Sequence, residues 1–216
     1  FWGQSRQRRL VWEQMGGYFR TEMENAFGPP LYVPELVIDE AHIRRDDMIP
    51  PPWERCQVKN YRQGVHRGVR FGAANVELTH EFQEHVGRDV SDSMSRSVRQ
   101  FGGVWLVCET AHCAPAGGYL YRRQDAAYDR DGLGLLPLLE KLGRPAAVRW
   151  DGNRLVLALE SNLPVMDLPE GNLVVRDLNG LRYAFRLSLR YLQGIIEALC
   201  RCEVLFGAER EEQAHG

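Results

Sequence analysis

Val65-His66-Arg67-Gly68-Val69-Arg70-Phe71, continued by Asn75-Val76-Glu77-Leu78 and Thr79-His80-Glu81-Phe82, decides the fold class of this 216-residue chain. Val69 and Phe71, then Val76, Leu78, His80 and Phe82, recur with a period of two, the period at which a pleated strand turns one face to a core. With Cys56–Val65 before His66-Arg67-Gly68 and Val69–Phe82 after it, the segment reads as a β-hairpin. Gly72-Ala73-Ala74 marks the expected position of a bulge.

Working outward, Val104–Thr110 reads as a third strand, reached through Glu84–Gln100, whose spaced Ser91, Ser93, Ser95 and Ser97 predict a mobile loop. Val148-Arg149-Trp150, Asp151-Gly152-Asn153 and Arg154–Glu160 predict a second tight hairpin, because Asp-Gly and Gly-Asn accept the positive φ that such turns demand. Between them Ala111–Gly134, rich in Gly, Arg and Asp, carries no clear period.

The two ends of the chain are helical. From Ser5 as N-cap, Val11, Met15, Tyr18, Phe19, Met23 and Ala26 keep helical spacing until Gly28-Pro29-Pro30. Gly16-Gly17 costs about 1 kcal/mol per glycine relative to alanine and predicts a bend or break there. Asp177 or Asn179 caps a long C-terminal helix with Leu181, Phe185, Leu189, Leu192, Ile195, Ile196 and Leu199 as its apolar stripe. Short helices are expected at Asp39–Arg45, before the extended Pro50-Pro51-Pro52, and at Leu135–Leu142, with Pro137 in its first turn. The fold class is therefore α+β: an antiparallel meander plus a second hairpin, with the terminal helices packed on one face of the sheet. The expected organisation is one soluble domain over 1–216, with the N-terminal helix inside 1–30 and the core over 53–206.

Apolar residues at 44% and charged residues at 26% are ordinary for a globular chain, and a net charge of −2 gives no bulk attraction to nucleic acid. Of 27 basic residues only Lys59 and Lys141 are lysines, which leaves 25 arginines; a GC-rich genome explains that bias more simply than selection for bidentate anion recognition. Five cysteines, an odd number, and no Asn-x-Ser/Thr sequon favour a reducing compartment. No stretch approaches the roughly 20 apolar residues that span a bilayer. Phe1-Trp2 running into Arg6, Arg8 and Arg9 has the composition of a helix leaving a membrane on its cytoplasmic side, and equally that of an ordinary basic helix start.

The chemistry-bearing residues form no strong constellation. Cys108, His112 and Cys113, with Cys200 and Cys202, are zinc-ligand types at poor spacing, since neither pair is a two-residue-separated knuckle. Cys113 as a nucleophile has only the adjacent His112 as a base. Asp39-Glu40 and Asp46-Asp47 point about 100° apart on a helix and read as first-turn and surface charges. Gly132-Leu133-Gly134 lacks the third glycine and the preceding strand of a dinucleotide fingerprint. Trp105 and Trp150 read as packed sheet residues. Arg182, Arg186 and Arg190, at four-residue steps, line one stripe of the last helix and are the candidate binding residues, with solvated arginines as the plain alternative. No catalytic residue, metal ligand or cofactor is assigned.

Val65–Phe71 with Asn75–Leu78, and Phe101-Gly102-Gly103-Val104-Trp105-Leu106-Val107-Cys108-Glu109-Thr110, resemble the bacterial domain of unknown function family three-one-three-seven, some members of which are labelled galanin. Asp151-Gly152-Asn153-Arg154-Leu155 and Asp177–Leu199 fit its later hairpin and closing helix, so the resemblance covers roughly 53–110 and 147–206 and departs from the family over 111–142. It implies a fold of this type and attachment to a membrane ahead of the domain, and it brings no catalytic residues. The expected function is a non-catalytic binding or scaffolding module at the cytoplasmic face of a bacterial membrane, with a membrane protein or anionic lipid as partner and no nucleic acid. The alternative is an enzyme with a cysteine- or metal-centred site near Cys108 and Cys113.

Overall fold

A computed structural model of the chain describes residues 2–85, 93–119, 135–142, 144–168 and 177–207. Helix α1 (Trp2–Phe27) precedes a single 3-10 turn at Pro34–Leu36 and the short α2 (Glu40–Asp46). Strands β1 (Arg55–His66), β2 (Val69–His85), β3 (Ser93–Tyr119) and β4 (Arg144–Glu160) then form one antiparallel sheet in the order β1-β2-β3-β4. Four-residue α3 (Leu136–Leu139) lies between β3 and β4, and α4 (Leu178–Leu199) and α5 (Glu203–Phe206) close the chain. The α+β class, the meander and the terminal helices are as the periodicities require.

The sheet carries a core on each face. On one face α1 and α4 pack through Val11, Met15, Phe19, Phe185, Leu192 and Ile196 against Phe71, Leu106 and Leu157. Leu192, Ile195 and Leu199 are fully buried, so the stripe read from sequence is the one that packs. Phe19 and Phe185, with ring centroids 4.2 Å apart, form the seam between the two helices. The opposite face is covered by the chain before β1, where Leu36, Ile43, Met48 and Trp53 meet Leu78, Phe101, Trp105 and Val156. Asp39 caps α2 and Asp177 caps α4, each accepting a backbone N–H three residues on.

Four local expectations are corrected. Asp151-Gly152-Asn153 makes no second hairpin, because residues 144–160 run as one strand along β3. A two-residue type I′ hairpin turn needs two successive positive φ angles, which Arg67 (52°) and Gly68 (79°) supply between β1 and β2; around Asp151-Gly152-Asn153 only Gly152 (59°) has one, and its backbone continues in the strand. Second, Ser93–Gln100 is strand paired with β2 from His85↔Ser93 onward, and the loop assigned to Glu84–Gln100 is therefore largely ribbon. Third, the bulge sits in β1 opposite Ala74, between the pairs Lys59↔Asn75 and Arg62↔Ala73, with Asn60 at φ 54°. Fourth, α1 is continuous across Gly16 and Gly17. Its tertiary contacts outweigh two weak helix formers. The patternless segment is strand up to Tyr119; residues 120–134 lie outside those described.

Candidate functional site

Three arrangements result from this packing. The first is the arginine stripe of α4. Arg186 forms a paired contact with Glu22 of α1, its Nε at 3.0 Å and its second guanidinium nitrogen at 3.1 Å. That bond, and the nearby positive charge, hold the Glu22 carboxyl below its ordinary range. The Arg182 guanidinium lies 5.1 Å from the Tyr18 ring centroid, within cation–π reach. Arg190 is exposed, with no side-chain partner among the described residues. The row therefore turns from the α1 seam at Arg182 and Arg186 to open surface at Arg190. Beside Arg190 stand Tyr183, 62% exposed, and Leu187, 44% exposed, one helical turn apart on the side of α4 that faces away from the core.

The second arrangement surrounds Asp46. This carboxylate is 3% exposed and accepts two bonds of 2.9 Å from the Arg154 guanidinium, while Arg149 donates to its backbone carbonyl at 3.0 Å and Arg45 stands 4.0 Å away. Asp46 is not the surface charge its sequence context implied. The bidentate pair satisfies both of its oxygens and ties the segment before β1 to β4.

The third lies where the β1 bulge meets α1. Asn75 brackets Val165 with a donor and an acceptor bond, each 2.8 Å, and Asn60 donates to Asp167 at 2.6 Å, so the loop after β4 is pinned across the sheet. Beneath that loop and α1 is a cavity of about 290 Å³ that Arg62 lines. Nothing in the sequence around Arg62 marks it, because the bulge that sets its direction has no distinctive residue type.

Cys108 and Cys113 do not form a common site, although Cys200 and Cys202 pack into the same core as Cys108. Cys108 is fully buried in the helical-face core, where burial pushes its thiol well above the ordinary value, while Cys113 is exposed. Burial also raises Cys200, and raises Cys56 to about 11, so these thiols are held in the protonated, unreactive form. The ring of His112 bonds the Gly207 carbonyl at 2.5 Å, which requires an N–H at Nε2 and commits that nitrogen to holding the chain after α5. Among the described residues no group of three or more His, Cys, Asp or Glu could hold a metal ion, and no helix is long and apolar enough to cross a membrane. Comparisons with protein-family models, with curated proteins and with solved structures find no match.

Proposed function

We propose that this domain is a non-catalytic binding module that docks at the cytoplasmic face of a bacterial membrane through the outer face of α4, with anionic lipid as the surface it meets. The observation that carries the reading is the pair Tyr183 and Leu187, exposed one turn apart next to Arg190, on a helix whose opposite face is buried. Long basic side chains beside exposed aromatic and aliphatic groups suit the boundary between headgroups and acyl chains, where the apolar atoms insert and the guanidinium groups meet phosphate. Arg190 is the member of the row left to meet phosphate; Arg182, roughly 12 Å along the helix from it at 1.5 Å per residue and held over Tyr18, adds positive charge, while Arg186 is already paired with Glu22. In the sequence, Trp2, Arg6, Arg8 and Arg9 are residues of the same interfacial kind. The sequence resemblance, which no family-model match accompanies, implies the same location. The cysteine-centred alternative loses ground, since Cys108 and Cys113 occupy different environments and the thiols that respond to burial do so in the unreactive direction.

Flotation with vesicles tests the reading. The wild-type chain should float with vesicles rich in anionic lipid, stay behind with neutral ones, and detach as salt rises. Changing Arg182, Arg186 and Arg190 together to Gln should weaken flotation at least several-fold. Equal flotation of wild type and variant, or recovery with neutral vesicles alone, would reject the lipid surface. Loss of a membrane-protein partner in pull-down, with vesicle binding absent in both chains, would move the same face to a protein partner.

A further inference from the structure

An open cleft of about 300 Å³ lies on the sheet, with no lining residue from α1 or α4 among those described. Along β2, the face that carries Phe71 and Ala73 under the helices continues to Asn75, Glu77 and Thr79. Across the ladder, Lys59 of β1 faces Asn75 and Gln57 faces Glu77, while Gly102 of β3 faces Glu77 from the other side. Leu78 pairs with Phe101 and Thr79 with Arg99, so Gln100 is an extra residue in β3. This bulge turns Arg99 onto the same face as Gly102, which an unbroken strand would not do at a spacing of three. Gly102 leaves the room: a Cβ there would stand 2.7 Å from the Arg99 guanidinium carbon.

The far wall is the loop after β4, which its own bonds hold in place. Ser161 and Leu163 bond each other in both directions, and Asn75 brackets Val165. One oxygen of Asp167 accepts from Asn60 and the other from the Leu168 N–H. The charges that line the cleft are of both signs and balance, Lys59 and Arg99 against Glu77 and Asp167. Asp167 is committed to the loop, whereas Lys59, Glu77 and Arg99 have no ion pair or side-chain hydrogen bond among the described residues. Lys59 and Arg99 are exposed and Glu77 is partly so, which leaves all three within reach of an incoming ligand. A simple anion would lose to the two carboxylates what it gains from the two cations, and a phosphate dianion would lose more. No aromatic ring lines the cleft, so the platform on which sugars and nucleobases stack is missing. Leu163, 57% exposed, and Pro164 add an apolar strip to the wall.

We propose that this cleft binds a zwitterion of the size of an aliphatic α-amino acid, its carboxylate accepting from Arg99 and Lys59, its ammonium donating to Glu77, and its side chain lying against Leu163 and Pro164. The charges of such a ligand sum to zero, as those of the cleft do, and each unpaired side chain gains a partner of opposite sign. The volume, at the lower edge of small-molecule sites, suits a molecule of that size. This inference is independent of the α4 docking face.

Titration calorimetry with L-leucine on the wild-type chain should give saturable binding to one site. Isocaproate, which lacks the ammonium, and isoamylamine, which lacks the carboxylate, should each bind at least tenfold more weakly. Glu77→Gln should lower leucine affinity at least tenfold and bring it level with isocaproate, at unchanged circular dichroism. Arg99→Gln should lower leucine affinity several-fold and narrow its advantage over isoamylamine. Equal affinity of the wild type for leucine and either analogue, no saturation, or undiminished leucine binding by either variant would overturn the proposal. Should a variant fail to fold, the ligand comparison on the wild type decides it.

Discussion

Arg154 and Arg190 are the same residue in two regions of one small molecule, and nothing in their chemistry distinguishes them. Arg154 lies over the sheet face covered by the chain before β1, its guanidinium bidentate to a carboxylate that is nearly inaccessible to water. Arg190 lies on the solvent side of α4 beside exposed Tyr183 and Leu187. In a chain with 25 arginines among 27 basic residues, residue type carries little information about role. Burial and the partner already in place separate an arginine spent on the fold from one left for a ligand. Arg62 stands between the two, half-buried like the first, bonded to the Gly28 carbonyl and with its Nε unpaired.

The largest effect that sharpens this comparison belongs to Asp46. Asp46→Ala strands the Arg154 guanidinium at a partly buried site and should cost about 3 kcal/mol in chemical denaturation. Adding Arg154→Met should restore a good part of that loss. Full stability in Asp46→Ala would place Arg154 with the exposed arginines. Arg62→Met should shift stability by no more than about 1 kcal/mol, since the lost bond to the Gly28 carbonyl is offset by removing a buried unpaired N–H. A loss as large as that of Asp46→Ala would show that Arg62 is structural.

A smaller effect appears in the pH dependence of stability. The Arg186 guanidinium lowers Glu22 from its ordinary 4.5, the His42 backbone N–H lowers Asp39 from 3.8, and the His66 ring lowers Glu197 from 4.5. Each of these carboxylates favours the folded state when ionised. Their contribution is present above the unfolded values and is lost as the pH falls through the depressed folded ones, so stability should be flat near pH 6 and decline below about pH 4.5. Glu22→Gln should flatten part of that decline while changing stability at pH 7 by less than about 1 kcal/mol, because Arg186 is half exposed. An unchanged acid limb in Glu22→Gln would show that the α1–α4 ion pair contributes nothing.

How much of this was legible in the sequence depends on the range of the interaction. The apolar stripe of α4 and the alternation of β2 are local periods, and both pack as they read. Ser93, Ser95 and Ser97 also alternate with Met94, Arg96 and Val98, a period of two that signals strand; their polarity obscured it, because over 95–99 and 81–83 the ribbon is wet on both faces. Gly152 was misread because a lone left-handed residue bends a strand without reversing it. Asp46 with Arg154, and Asn60 with Asp167, join residues 108 and 107 positions apart, a separation at which sequence pattern carries no signal. Of the candidate site, the stripe itself was visible, whereas the capture of Arg182 and Arg186 by Tyr18 and Glu22 required the fold.

The outward role of α4 is tested most directly at Tyr183. Tyr183→Trp places an indole at the centre of the exposed face without disturbing the core, and its emission is read as the difference from the parent protein. With anionic vesicles at low salt that difference should shift to the blue and be quenched by lipids brominated near the headgroup, and both responses should vanish at high salt. An emission that stays water-like, with no quenching under any of these conditions, would contradict docking through this face.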